Sequence, residues 1–308
     1  MPEKRKAGSE RRRPAREPAE VSPDAEGGVR LDVRKTWKLF IGGAFVRSES
    51  GRTLVSGGEN YPRASRKDVR DAVKAAVGAA PGWRGRTAYN RGQILYRMAE
   101  VMEARRAEFE ALLESSGIEH AAQEVELAID RVVSYAGWTD KFQSLFASSN
   151  PVAGPHFGFS IPEPVGVVGV AAPERPALLG LVGSLCPVIA SGNVAIVVSS
   201  EADPRTTLAL AECWATSDLP GGVVNLLTGS KAELLPHLAG HVGVRALDLW
   251  DVEGPQAEEL ERVAAENVKR VSRRSQSLES WDDAEACTSP AWIERFVEIK
   301  TVWHPMGA

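Results

Sequence analysis

Glu163-Pro164-Val165-Gly166-Val167-Val168-Gly169-Val170-Ala171-Ala172-Pro173 is the stretch whose reading decides the fold of this 308-residue chain. From Val165 to Ala172 it is apolar throughout, and it stops at a proline, as a strand buried on both faces does. Beyond it the pattern alternates. Strands are expected at 165–171, 194–198, 223–227, 244–249 and 268–271, with helices near 176–190, 204–216, 230–239 and 254–265. That rhythm predicts an α/β fold, a doubly wound parallel sheet covered by helices on both faces. The turns Ser191-Gly192-Asn193 and Leu219-Pro220-Gly221-Gly222, and the run Val223-Val224-Asn225-Leu226-Leu227-Thr228-Gly229, belong to the same unit.

Working upstream, Ser148 to Pro164 is rich in Ser, Gly and Pro and reads as a loop or extended ribbon. A helix is expected from Ala121 to Phe146, with Val125, Ile129, Val132 and Val133 on one face, and another from Tyr89 to about Ser116. Ser65-Arg66-Lys67-Asp68 has the form of a capping box opening a helix that Pro81-Gly82 should end. Leu39-Phe40-Ile41 and Ala44-Phe45-Val46 flank Gly42-Gly43, a two-residue turn, and predict a hairpin. Residues 1–30 are poor in aliphatics and rich in Lys, Arg, Glu, Pro and Ala, the composition of a disordered tail. Lys4-Arg5-Lys6 and Arg11-Arg12-Arg13 would suit nucleic acid or a targeting role, but Glu3, Glu10, Glu17 and Glu20 dilute them and favour a solvated tail.

Downstream, residues 31–271 form the main domain, 272–289 are polar and read as a flexible link, and 290–308 hold a closing helix and strand, with Phe296 to Trp303 β-prone. A net charge of −4 creates no field that would draw nucleic acid or anionic lipid, so neither is expected as a partner. No apolar run is long enough to span a bilayer, and the basic N-terminus lacks the apolar stretch of a secretory signal. Cys186, Cys213 and Cys287 read as reduced thiols of a cytoplasmic protein. His237 and His241 are spaced i, i+4, but no third ligand accompanies them and Gly240 falls between, so no metal is expected.

These motifs, in this order, resemble the NAD(P)-dependent aldehyde dehydrogenases. The resemblance runs from about Lys38 to Val271 and includes the hairpin with Ser50-Gly51-Arg52, a W…R…IL signature at Trp83, Arg91, Ile94 and Leu95, and Tyr135-Ala136-Gly137-Trp138 with Asp140-Lys141. Lys300-Thr301-Val302-Trp303 resembles the family's closing strand, which pairs across the subunit interface. The resemblance implies a coenzyme-binding domain preceded by helices and followed by an oligomerisation strand. It makes Glu201, just after the second strand, the candidate to accept from the adenosine ribose hydroxyls, and Gly229 a further coenzyme contact. The plainer reading of Glu201 is a solvated residue near a helix start.

The departures from the family pattern fall on its chemistry. Pro-Trp-Asn, whose Asn stabilises the oxyanion, is replaced by Pro173-Glu174-Arg175-Pro176, in which Arg175 and Glu174 are suited to an ion pair. The Lys that should precede Glu201 is missing from Val197-Val198-Ser199-Ser200. Phe-Thr-Gly-Ser, the pyrophosphate turn, becomes Leu249-Trp250-Asp251-Val252-Glu253-Gly254, with two carboxylates where an anion should sit. Glu-Leu-Gly-Gly, whose Glu is the general base, gives way to Val271-Ser272-Arg273-Arg274-Ser275-Gln276-Ser277. Cys287, in Glu285-Ala286-Cys287-Thr288-Ser289, echoes the nucleophile's context, yet too little sequence follows for a catalytic domain, so it reads mainly as a free thiol in the link. No catalytic residue is assigned beyond this weak candidate.

The pattern resembles the non-catalytic second copy of the class-sixteen aldehyde dehydrogenases. It implies a pseudoenzyme or structural subunit that binds itself or a full-length aldehyde dehydrogenase through the terminal strand, with coenzyme absent or weakly held. An active NAD(P)-dependent oxidoreductase acting on aldehydes and a dinucleotide-binding module without chemistry are the alternatives. The strand 296–303 either pairs with another chain, with the ribbon 156–161 as its companion, or closes the chain's own sheet.

Overall fold

The computed structural model describes residues 21–23, 29–31 and 33–307. Most of the tail expected over 1–30 lies outside the described residues. Within it, β1 (Val21–Pro23) and β2 (Val29–Leu31) pair antiparallel. The remainder, from Trp37 onward, is one compact unit.

That unit opens with the hairpin β3 (Leu39–Ile41) and β4 (Ala44–Val46), followed by a second, β5 (Thr53–Ser56) and β6 (Glu59–Pro62). Five helices follow: α1 (Arg66–Arg84), α2 (Ala88–Ala104), α3 (Arg106–Ser115), α4 (Ala121–Trp138) and the short α5 (Phe142–Phe146). β7 (Ser148–Asn150) and β8 (His156–Pro164) form a ribbon. The alternating part then runs β9 (Val167–Ala171), α6 (Ala177–Ala190), β10 (Val194–Val198), α7 (Pro204–Ala215), β11 (Val224–Leu227), α8 (Lys231–Gly240), β12 (Ala246–Trp250), α9 (Gly254–Ala265) and β13 (Arg270–Arg274). A 3-10 turn (Glu279–Trp281), α10 (Ala284–Cys287), α11 (Ala291–Glu294) and β14 (Val297–Pro305) complete it.

The expected doubly wound sheet is present. Its order is β13-β12-β9-β10-β11-β3-β4, with β13 to β11 parallel and the N-terminal hairpin added antiparallel at one edge. Glycine is required where that hairpin meets the β11 approach loop. A Cβ on Gly43 would lie 2.7 Å from the Gly221 Cα, and one on Gly221 would lie 2.5 Å from the Gly42 carbonyl oxygen. Asn225 fastens the junction, accepting from Gly42 N at 2.9 Å and donating to the Gly222 carbonyl at 2.9 Å.

α1, α8 and α9 pack on the sheet or on one another, and α6 and α7 pack on it beneath α2, α3 and α4. Every residue of α6 is buried, which is why its sequence is apolar without a polar face. Its C-terminal end is satisfied by side chains from other helices. Trp83 Nε1 donates to the Ile189 carbonyl at 3.0 Å, and Arg91 Nε donates to the Ala190 carbonyl at 3.3 Å. The W…R signature is thus a C-terminal cap for α6. Trp83 also accounts for a boundary that differs from expectation. α1 runs through Pro81 to Arg84 because burying this indole against α6 outweighs one missing backbone donor.

Two long helices are divided in the structure. The helix expected over Tyr89–Ser116 breaks at Arg105, whose guanidinium binds Glu108 at 2.8 Å and Glu212 at 2.7 Å. The helix expected to reach Phe146 ends at Trp138 before the short α5.

The flexible link expected over 272–289 is a correction. β13 extends to Arg274, and the segment after it, though mostly exposed, is anchored by the buried Trp281 and Cys287. α4 holds this segment through three carbonyls: Arg131 Nη2 donates to Trp281 O at 3.0 Å, Tyr135 Oη to Cys287 O at 3.0 Å and Trp138 Nε1 to Thr288 O at 2.8 Å. Trp281 lies so close to α6 that a Cβ on Gly183 would approach its ring to 2.7 Å. Among the described residues no helix is long and apolar enough to cross a membrane.

Candidate functional site

In an open parallel sheet the ligand crevice lies outside the carboxyl ends of the strands, where the strand order reverses. Here the reversal falls between β9 and β12, the central neighbours from which the chain runs outward in both directions. The loops at issue are therefore 172–176 after β9, 199–203 after β10, 228–230 after β11 and 251–253 after β12.

Glu174 is the hub of these loops. Its Oε2 accepts from Glu201 N at 2.8 Å and Ala202 N at 3.0 Å and lies 3.1 Å from Ser200 Oγ. Its Oε1 binds the Lys231 ammonium, which also donates to the Ala172 carbonyl at 2.5 Å. The Lys231 side chain is only 9% exposed, so the pair is shielded on the lysine side. Burial works against the Glu174 charge, but Lys231 and these donors more than offset it and hold the carboxyl below the usual carboxylate range. The ion pair expected between Glu174 and Arg175 is thus a correction. Lys231 is the cation, brought by the α8 N-terminus, while Arg175 is exposed. Lys231 carried no motif signal in the sequence. Only the parallel register of β9, β10 and β11 brings the loops at 174, 201 and 231 together.

Glu201 is exposed, but it is engaged. Its Oε1 accepts from Lys231 N at 2.7 Å and so caps α8, the helix after the next strand, rather than standing free beside α7. Asp203 is the α7 cap, accepting from Thr206 N at 3.1 Å. Gly229 has φ +148° and is buried. A Cβ there would meet Ala64 N and Leu234 Cδ1 at 3.2 Å, so its freedom serves the close packing of the 62–64 segment, where Ala64 N donates to Thr228 O at 2.8 Å.

On the other side of the reversal the carboxyl ends of β12 and β13 carry a buried ion pair. Asp248 is fully buried, and the Arg274 side chain is 7% exposed. Arg274 Nε donates to Asp248 Oδ1 at 2.8 Å, Nη2 binds Oδ2, and Trp250 Nε1 donates to the same Oδ2 at 2.8 Å. The guanidinium carbon sits 4.1 Å from the Trp250 ring centre and 4.7 Å from that of Trp292. Trp281 packs 4.9 Å from Trp250, closing an aromatic cluster. Asp251, in a left-handed conformation at φ +55°, accepts from Glu174 N at 3.4 Å and links the two sides.

Cys287 lies apart from these groups. Its thiol is buried, donates to Ser280 O at 3.3 Å and accepts from Gln276 Nε2 at 3.1 Å. It borders a cavity of about 550 Å³ lined also by Gln276, Glu279, Ser280, Asp283, Ala286 and Trp292. It is therefore not a thiol in a mobile link. Cys186 and Cys213 are core residues whose thiols burial pushes up to about 12 and about 11. His241 follows the end of α8 and accepts from Gly243 N at 3.0 Å. No group of three or more metal-ligating side chains occurs among the described residues.

A doubly wound sheet with an N-terminal hairpin, a helical layer and a β8/β14 ribbon defines a dinucleotide-domain class of α/β protein. Comparison with known proteins narrows this. The model of the aldehyde dehydrogenase family matches residues 58–273, and the chain belongs to that family. It is 30% identical over 258 residues to cytosolic 10-formyltetrahydrofolate dehydrogenase of Mus musculus, covering 79% of this chain and 28% of that protein. It is 31% identical over 255 residues to the putative aldehyde dehydrogenase DhaS of Bacillus subtilis (strain 168), covering 78% of this chain and 50% of that protein. HpcC from Thermus thermophilus superposes with a TM-score of 0.73 at 29% identity, over 78% of this chain and 48% of that one. The NAD+ complex of an aldehyde dehydrogenase from Bacillus cereus shares the fold, with a TM-score of 0.71 at 24% identity over 77% of this chain and 50% of that one. The chain thus spans about half or less of the length of the relatives it matches.

The residues at the carboxyl edge do not fit a dinucleotide in this arrangement. The Glu201 carboxylate is committed to Lys231 N, the Lys231 ammonium to Glu174, and Asp251 with Glu253 flanks the start of α9. A pyrophosphate at the start of α9 would lie beside the Asp251 and Glu253 carboxylates.

Proposed function

We propose that this chain is a non-catalytic aldehyde-dehydrogenase-type subunit that docks on a full-length aldehyde dehydrogenase or on a second copy of itself. The observation that carries the non-catalytic reading lies between β13 and β14. Residues 275–296 are all that separate the last parallel strand from the closing strand, and they pack against α4 and α6. The resemblance places the catalytic domain at that point. Neither a general-base Glu nor an oxyanion-donating Asn stands at the matching positions, where Arg273-Arg274 and Glu174-Arg175 are found. The free thiols and the naming of the mouse relative as cytosolic support a cytoplasmic setting.

β14 supports docking. It pairs antiparallel with β8 from Val297↔Pro164 to Pro305↔His156, at the edge of the sheet β14-β8-β7. The ribbon is thus its companion element, but within the same chain, as in the alternative that the strand closes the chain's own sheet, and its other edge has no strand partner among the described residues. Ile299 and Trp303 lie on one face and are 54% and 63% exposed, while Phe157 and Ile161 are exposed on the opposite face. An unpaired edge flanked by apolar side chains on both faces is suited to adding a strand from another chain. Truncation after Glu298 spares the core residues Phe296 and Val297. It should convert an assembled species to a monomer in light scattering, with the same circular dichroism. An intact chain that is monomeric and binds no full-length aldehyde dehydrogenase would refute docking.

An active oxidoreductase has one observation in its favour, the cavity beside Cys287. Attack on an aldehyde needs a thiolate. Here the thiol donates to a backbone carbonyl, and none of the groups bonded to it is a base. The purified chain should therefore give no aldehyde-dependent reduction of NAD+ or NADP+ above background. Turnover that disappears in Cys287→Ala would overturn the non-catalytic reading.

A further inference from the structure

We infer that the chain is its own ligand at the coenzyme edge: Glu174 occupies an anion nest there, and carboxylates cap the N-termini of α6, α7 and α8 around it. The inference rests on the non-catalytic reading for its biological sense, but it is tested independently.

Helix N-termini present unpaired N–H groups and the positive end of the dipole, and in doubly wound folds several of them converge on the carboxyl edge of the sheet. In this chain those of α6, α7 and α8 are taken by carboxylates, while the start of α9 has no side-chain cap. At α6, Glu124 reaches over from α4, and its Oε1 accepts from Leu178 N at 2.9 Å and Leu179 N at 3.2 Å. At α7 the cap is Asp203, and at α8 it is Glu201 from the loop after β10. Local caps such as Asp203 are common at helix starts. Glu124 and Glu201 are not local, since they come from elements 54 and 30 residues away.

The nest around Glu174 is the clearest case. Two consecutive backbone N–H groups, a hydroxyl and a shielded ammonium converge on one carboxylate oxygen pair. That donor set is the one that holds phosphate or carboxylate groups in anion-binding turns. Here its occupant is covalently part of the loop after β9. The bond from Glu174 N to Asp251 then ties this loop across the reversal to the one after β12. A dinucleotide would have to displace a tethered carboxylate from its donors and also lie beside Glu201, Asp251 and Glu253. Emptying the nest should therefore turn it into a site for a small oxyanion.

The test is to melt the wild-type chain and Glu174→Ala in inorganic phosphate and in chloride of matched ionic strength, and to titrate both with NAD+ and AMP by calorimetry. The wild type should show no phosphate-specific stabilisation and no nucleotide binding. Glu174→Ala should gain stabilisation by phosphate and show AMP binding at concentrations roughly tenfold or more below those at which the wild type shows none. Equal phosphate responses in the two proteins, or micromolar NAD+ binding by the wild type, would overturn the inference. Binding of NAD+ without turnover would leave the subunit reading standing, whereas aldehyde turnover would remove that reading instead. If Glu174→Ala does not fold, Glu174→Gln keeps the shape and weakens the hold on Lys231. Amide exchange at Glu201 and Ala202 should then rise roughly tenfold or more, while the sheet amides stay protected. Unchanged exchange at those two amides would overturn the inference.

Discussion

Asp248→Ala should cost about 3–5 kcal/mol of stability, because it leaves the Arg274 guanidinium buried without its carboxylate. Asp248 is fully buried, and both of its oxygens are engaged, by Arg274 and by Trp250 Nε1. The substitution also strands the indole N–H. The guanidinium has no easy route to water, since the Trp250 and Trp292 rings cover it. The measurement is the urea midpoint followed by circular dichroism. A double replacement, Asp248→Leu with Arg274→Met, removes both charges and should recover most of the loss. If the single substitution changes the midpoint only slightly, this pair is not the anchor of the β12–β13 edge.

Trp281→Ala should cost a comparable amount, about 3–5 kcal/mol, and its effect should centre on the segment between β13 and β14. Trp281 is 1% exposed, fills the space left by Gly183 and packs in a tilted contact against Trp250. Its carbonyl is the acceptor of Arg131. Removing the ring opens a large void at the junction of α6, α4 and β12, and the carbonyl contacts that α4 makes with 281–288 lose their anchor. Cys287, fully buried in the intact chain, should then react with a thiol reagent well before global unfolding. Cys186 and Cys213, which lie in α6 and α7, should remain protected. Equal reactivity of all three thiols would mean that the segment does not open on its own.

The parallel sheet was legible because its signal is local. Apolar runs of only five residues at 167–171 and 194–198, bounded by turn residues, read as strands covered on both faces, and the longer α6 is apolar all round because it is buried all round. The closing strand was legible for the same reason, and so was its ribbon partner. Errors came where distant contacts override a local stop signal. Pro81 does not end α1 because Trp83 must reach α6, and the polar stretch after β13 is not loose because Trp281 and Cys287 are covered by helices distant in the chain, α4 lying about 150 residues earlier.

At the candidate site, sequence by itself determined which residue types are present: the carboxylates Glu174, Glu201, Asp251 and Glu253, and the missing neutral donors and general base. It singled out Glu201 and Gly229 but gave no partner for either. Only the tertiary structure decided that Glu201 caps α8, that Lys231 rather than Arg175 binds Glu174, that Gly229 makes room for Ala64, and that Asp248 and Arg274 form a buried pair. The physical reason is the parallel register. It gathers loops that are 26 to 77 residues apart along the chain at one edge of the sheet, and no periodicity within a strand or helix encodes which charge meets which there.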